Sequence, residues 1–245
     1  MLFRSGFRKT RSTITALIPD VEWIVKNLDN NKCVSSLMLD FTAAFDTMDI
    51  SSVATRLLQL GVVGDMGTMI IKWLMDRTQV VQVGESFSRE ETLTSGCAQG
   101  SCLGPICFII FISGITEAFK RTKSTYYADD SKAMAITTDP VGMLVLDEEA
   151  TAAHTWATEN SMSFSKGKSA LLQFGKHKYN REVYLGDEKI DKVSEAADLG
   201  VIIDTGLTFR QHLQKIKKKA ATSRFMFRTT LDRKSTRLNS SHLVI

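Results

Sequence analysis

Proline is scarce in this chain: three in 245 residues, too few for a proline-rich linker. No run of apolar residues is long enough to span a bilayer. The nearest approach, Leu103 to Ile112, is only half the needed length and contains Pro105. The start is basic and polar, so no secretory leader is expected. The four cysteines, at 33, 97, 102 and 107, show no C-x₂-C metal spacing. Cys102 and Cys107 sit in an apolar stretch and read as buried thiols of an intracellular protein, in nucleus or cytoplasm. Histidine is also rare, four in all, and none stands near the acidic residues discussed below, which argues against zinc.

What is present suits a folded protein with one sizeable core or two modest lobes: 43% hydrophobic and 24% charged residues. The formal net charge of +4 is a mild lean toward polyanions. Its basic residues gather at the ends, Arg4, Arg8, Lys9 and Arg11 in front and Lys215, Lys217, Lys218, Lys219, Arg224 and Arg228 behind.

The chemistry concentrates at Asp129 and Asp130. β-prone residues lead into the pair and an alternating stretch, Ser131 to Ile136, leads away, the pattern of a hairpin with two carboxylates at its tip. Adjacent like charges repel, and a divalent cation would offset the cost. A third acid, Asp40, ends the apolar run Cys33 to Leu39, which reads as a central strand. Alone, Asp40 also fits an ordinary strand-end cap, and Asp46 and Asp49 read as caps or solvated acids. Three converging carboxylates are an oxygen-only donor set suited to Mg²⁺ or Mn²⁺.

Helical periodicity predicts helices over Thr15 to Leu28, Ile50 to Leu60, Gly67 to Met75, Leu103 to Phe119, Val141 to Thr158 and Gln211 to Phe227. A hairpin around Gly84-Glu85 spans Gln79 to Phe87, and strands are expected at Ala170 to Phe174, 182–185, 188–191 and 199–203. This order suits an α+β fold, an antiparallel sheet with helices packed on one face. From 233 to 245 periodicity is lost, and a disordered tail or a sequence artefact is expected.

Seven elements then fall in register: GFRKTRST at 6–13, LDFTAAFDTMD at 39–49, RTQVVQVG at 77–84, SGCAQGSCLGP at 95–105, YADDSK at 127–132, Trp156, Asn160 and Lys168 together, and DLGVIIDTGLTF at 198–209. In order and spacing they resemble the reverse transcriptase domain of non-long-terminal-repeat (LINE-like) retrotransposons. The resemblance implies a polymerase palm-like sheet with partial fingers and the start of a thumb from about 205, in a partial domain over 1–232. It implies an RNA-directed DNA polymerase, with an RNA or DNA template and primer as partners, dNTP as substrate, no membrane association, and further segments of the same polyprotein.

Carried over residue by residue, the resemblance makes Asp40, Asp129 and Asp130 the ligands of Mg²⁺ or Mn²⁺ and Lys168 the group that protonates leaving pyrophosphate. Phe45 becomes the ring that rejects a ribose 2′-hydroxyl, and Gln99 and Gly100 the loop against nucleotide and template. As bare residues, Phe45 reads equally as a core aromatic and Lys168 as a surface lysine. Arg77 and Gln79 match an R-x-Q element tied to the template track, and Tyr127 a residue near the primer end. Ala43, Ile50, Ala98 and Ser165 depart from the family's usual Lys, His, Pro and Asn. None of the four removes an acid. Elements expected of a complete enzyme, such as the segments that grip the triphosphate, are not among the seven, so the alternative is an inactive truncated remnant with at most residual nucleic-acid binding. An unrelated metal-binding α+β protein is the remaining class.

Overall fold

In the computed structural model, side-chain caps set the starts of three helices; the described residues are 12–98, 100–165, 167–179 and 181–223. Ser12 caps α1 (Thr13–Asp29): its Oγ accepts from the Thr15 N–H at 3.2 Å, while its own N–H donates to Thr15 Oγ1 at 2.8 Å. That capping box starts the helix two residues ahead of the expected Thr15. β1 (Val34–Leu39) follows, almost wholly buried. Asp49 caps α2 (Ile50–Gln59), Oδ2 accepting from the Ser52 N–H at 2.7 Å. Burial pushes the Asp49 carboxyl up, but hydrogen bonds from Ser51 and Ser52 outweigh it and hold the group below its usual range.

After α3 (Gly64–Leu74) come four short strands, β2 (Arg77–Gln79), β3 (Gln82–Val83), β4 (Ser86–Phe87) and β5 (Glu91–Leu93). They nest as two hairpins, β2 with β5 outside and β3 with β4 inside. The expected long helix over Leu103 to Phe119 is instead α4 (Gly104–Ile112) followed by a 3₁₀ turn over Ser113–Glu117. The change falls where Gly114 lets the Arg56 guanidinium and Trp156 indole press on the backbone; a Cβ there would lie 2.6 Å from Trp156 Nε1. β6 (Lys123–Tyr127) and β7 (Asp130–Ile136) form the expected hairpin. Asp139 then caps α5 (Pro140–Glu159), accepting from the Val141 and Gly142 N–H groups, with Pro140 in the first turn where its missing N–H costs nothing. The unit ends with β8 (Ala170–Phe174), β9 (Tyr184–Leu185), β10 (Glu188–Lys189) and β11 (Lys192–Val193).

The main sheet has the order β11-β8-β1-β7-β6. All its pairs are antiparallel except β11 with β8, so the sheet is mixed at one edge, where a purely antiparallel one was expected. Helices also cover both faces, not one. Alternation along the strands puts Leu37, Leu39, Ala133 and Leu171 on one side, in the main core with Phe108, Phe111, Met143 and Leu146. α5 lies there, Ser35 Oγ reaching Met143 Sδ at 3.4 Å. Val34, Met134, Leu172 and Phe174 are buried on the opposite side. On that side Asp20 of α1 meets Lys132 of β7 and Lys123 and Thr125 of β6. The expected inner face of α1 included Val21, Val25 and Leu28; the buried residues are Ala16, Leu17, Asp20, Ile24 and Asn27.

The chain divides at Ser194. In the second unit β12 (Glu195–Asp198) and β13 (Val201–Asp204) pair through a Leu199-Gly200 turn, both residues at positive φ as a primed hairpin turn requires. Asp204 ties the next loop, accepting from the N–H groups of Gly206, Thr208 and Phe209 at 3.0, 3.0 and 2.7 Å. A helix, α6, covers 210–223 with Lys215, Lys217, Lys218 and Lys219 exposed. The rest of the expected basic helix, the tail at 233–245 and the basic residues at 4–11 lie outside the described residues. Among the described residues no helix is long and apolar enough to cross a membrane. Of the cysteines, 33, 97 and 107 are buried thiols and Cys102, against expectation, is exposed, because it precedes α4 in an open turn.

Candidate active site

Asp40 leaves the central strand one residue past Leu39, the last residue of β1 paired with β7, opposite Ser131. The next residues on the two strands are Asp40 and Asp130, so the register carries both to the same end of the sheet. Asp129 sits in the two-residue turn of the hairpin with Ala128, which is held at φ 54°. A left-handed alanine costs roughly 1 kcal/mol or more, and such strain clusters at functional sites. Asp129 is half-buried and Asp130 exposed.

The segment after α5 braces Asp40 from the other side. Its carbonyl accepts from the Ser165 N–H at 2.7 Å, Thr42 N–H donates to the Ser163 carbonyl at 2.9 Å, and the Phe41 and Phe164 rings stack at 4.4 Å. Lys168 Nζ lies 3.0 Å from Asp40 Oδ2. That oxygen is buried and, among the described residues, accepts no hydrogen bond, so the ion pair with Lys168 offsets its burial. The lysine side chain itself is 68% exposed. The rest of the Trp156, Asn160 and Lys168 pattern divides its roles: Trp156 is core, edge-on to Phe41, and Asn160 ends α5 by donating to the Trp156 carbonyl at 2.8 Å.

Phe45 is half-buried with its ring stacked on Phe108 of α4 at 4.2 Å. It is thus a rigidly packed aromatic, whatever else it does. Its carbonyl accepts from the Cys97 N–H at 3.1 Å, which joins the turn after Asp40 to the glycine-broken loop. In that loop Gly100 is exposed at φ 79° with open space around an added Cβ, so glycine serves the backbone conformation there. Gln99 lies outside the described residues. Arg77, expected along the template, spends its donors on the protein: Nε to the Leu74 carbonyl at 2.8 Å and Nη2 to those of Ser95 and Gly96 at 2.9 and 2.6 Å. Tyr127 is half-buried beside Asp130 across the hairpin.

A profile described as "Reverse transcriptase (RNA-dependent DNA polymerase)" matches residues 3–203. The chain belongs to the reverse transcriptase family. It is 24% identical over 246 residues to a probable RNA-directed DNA polymerase from transposon BS of Drosophila melanogaster, covering 94% of this chain and 27% of that protein. To the RNA-directed DNA polymerase from mobile element jockey of Drosophila funebris it is 25% identical, covering 90% of this chain and 25% of the relative. This reverse transcriptase chain therefore spans about a quarter of the length of the curated relatives it matches. Among solved structures, apo telomerase from Candida tropicalis truncated from its C-terminal domain superposes with a TM-score of 0.55 at 11% identity, over 84% of this chain and 40% of that one. Telomerase from Candida albicans gives 0.51 at 13%, over 80% and 35%. Identities this low speak to the fold alone: a mixed α+β domain with a central sheet and flanking helices.

The family implies a divalent metal, and the donor chemistry fits in type: oxygen ligands, with a buried Asp40 oxygen that is paired with a cation. The gathering is looser than expected. Among the described residues no group of three His, Cys, Asp or Glu side chains converges to hold a metal ion. Asp40 is instead neutralised by Lys168.

Sequence reasoning also missed Asp20. It is 2% exposed and pairs with Lys123 at 2.6 Å and Lys132 at 2.8 Å, and it accepts from the Thr125 hydroxyl at 2.8 Å. A signal was available: Leu17, Asp20 and Ile24 share helical spacing, which puts an acid on an apolar face, and Lys132 alternates inward on β7.

Proposed function

We propose that this chain is the palm-bearing part of an RNA-directed DNA polymerase that adds dNTPs to a primer 3′-hydroxyl, as one piece of an intracellular retrotransposon polyprotein. In this reading the partial domain runs over 1–232 and the start of the thumb from about 205. The observation that carries it is the strand register: in a chain of this family, Asp40 and the Asp129–Asp130 hairpin reach one end of one sheet. Asp40, Asp129 and Asp130 would hold Mg²⁺ or Mn²⁺. When bound, the metal pair supplies a clamp on the attacking and departing oxygens of phosphoryl transfer.

The chain's own groups supply the rest. Phe45, pinned on Phe108, presents a fixed edge that rejects a 2′-hydroxyl by bulk. Gln99 and Gly100 lie against nucleotide and template, Gly100 letting the backbone approach closely. Lys168, on a long, exposed side chain beside Asp40, would reach the leaving pyrophosphate, where general acid help is needed. The exposed lysines of α6 suit a phosphate backbone through charge.

A second reading has its own support. The looseness of the carboxylate set favours a non-catalytic remnant that at most binds nucleic acid. Primer extension on poly(rA)/oligo(dT) with Mg²⁺ or Mn²⁺ separates the two. Extension by the chain and none by Asp129→Ala is expected of the polymerase. Extension that survives Asp129→Ala sinks the metal site, and none from either leaves the remnant.

A further inference from the structure

Arg77 is half-buried, and three of its hydrogen bonds end on backbone carbonyls of its own chain. Two of those carbonyls, Ser95 and Gly96, are consecutive loop groups, and one guanidinium nitrogen spans both. Immediately beyond, the same loop is laced to the turn carrying Phe45 by three bonds. Ser95 Oγ donates to the Asp46 carbonyl at 2.9 Å, Gly96 N–H to Met48 at 2.8 Å and Cys97 N–H to Phe45 at 3.1 Å.

Contact between the two segments is backbone on backbone. Gly96 is at φ 75°, and a Cβ there would fall 2.8 Å from the Asp46 carbonyl oxygen and 2.9 Å from that of Phe45. On its far side the Phe45 ring rests on Phe108, in the helix that this loop enters. A closed brace results: Arg77 to the loop, the loop to the Phe45 turn, and that turn to α4.

We propose that Arg77 is a positioning residue for the nucleotide site: by clamping the Ser95 and Gly96 carbonyls it seats Phe45 and sets how strictly a 2′-hydroxyl is rejected. It acts through the backbone and touches no nucleotide. This rests on the reading of Phe45 as the gate. Lysine cannot replace it, because a single ammonium lacks the planar fork that reaches the Leu74, Ser95 and Gly96 carbonyls together.

Two readouts test it on the whole chain, one of them independent of catalysis. Amide hydrogen exchange should show Arg77→Lys losing protection together at 95–97 and at the Asp46 and Thr47 N–H groups, which bond to the Ala43 carbonyl. Loss confined to 95–97 overturns the brace. Steady-state insertion of dTTP against UTP gives the second readout. A displacement near 1 Å changes reaction rates about 100-fold, so Arg77→Lys and Gly96→Ala should lower the dTTP preference roughly ten- to a hundredfold. The change should come through a lower KM for UTP while dTTP insertion is largely kept. An equal loss for both nucleotides, or an unchanged preference, overturns the positioning role. Phe45→Val keeps the two ideas apart: if it lowers the preference while Arg77→Lys does not, only the Arg77 assignment fails. If Phe45→Val leaves the preference unaltered, the gate itself falls.

Discussion

Replacing Asp20 by alanine should destabilise the first unit far more than any surface change. The acid is 2% exposed and Lys132 7%, so their ion pair is sealed between α1 and β7, while Lys123 keeps a partly wetted side chain. Removing one partner of a buried pair costs about 3–5 kcal/mol, because the buried charge loses the group that offset it. The loss weighs more on buried Lys132 than on Lys123, which can turn toward water. For a chain of this size each kcal/mol moves the melting temperature by about 2–4 °C, so a fall of roughly 6–20 °C is expected. Thermal and urea unfolding followed by circular dichroism would measure it. The decisive comparison is Asp20→Ala combined with Lys132→Met, which removes both members of the pair and should recover part of the loss. A single-variant cost within about 0.5 kcal/mol, the range of ordinary surface substitutions, would refute the reasoning. So would a double variant no better than Asp20→Ala.

Thiol chemistry should follow burial. Burial, and next to it the neighbouring Cys97, push the Cys107 thiol up to about 11, while Cys102 is exposed. Iodoacetamide at pH 8 should therefore label Cys102 first and spare Cys107 in the folded chain, read by mass spectrometry; equal rates would contradict the packing. In the second unit, the Thr208 N–H chiefly holds the Asp204 carboxyl below its usual value of 3.8; burial opposes it, and the Phe209 N–H, the Thr208 hydroxyl and the Gly206 N–H add to the lowering. A depressed carboxyl stabilises above its unfolded value and loses that contribution as pH falls through the folded one. Protection of the Phe209 amide should thus hold from neutral pH to about 4 and fade below it. Asp204→Asn should show no such fading, and an identical acid profile in that variant would rule out Asp204 as the cause.

Local rules made much of the architecture readable in advance. An apolar run ending in Asp40, a two-acid hairpin and a glycine at the 84–85 turn are signals carried by neighbouring residues, and the strands formed where those signals stood. Asp49, which reads as a cap or a solvated acid, is the cap of α2. The misses are long-range. The helix expected through Phe119 breaks because Arg56 and Trp156, distant in sequence, close on Gly114. An R-x-Q match does not say where Arg77 puts its hydrogen bonds, two of which end on carbonyls nearly twenty positions away. The pairing of β11 alongside β8 is parallel, a choice set by where the connecting chain returns and not by any pattern within two residues. At the site, residue types were legible and their distances were not: spacing nominates Asp40 and Lys168 separately, and only the fold makes them partners.

A central strand and a rim hairpin do not share one lifetime. β1 is bonded on both sides and buried on both faces, so it opens only when much of the unit opens. β6 closes the sheet, and its hairpin turn, with a half-buried and an exposed acid, sits where local opening is least costly. Asp40 therefore follows the strand expected to open last, while Asp129 lies in the turn to the edge strand, where amides should exchange sooner than in β1.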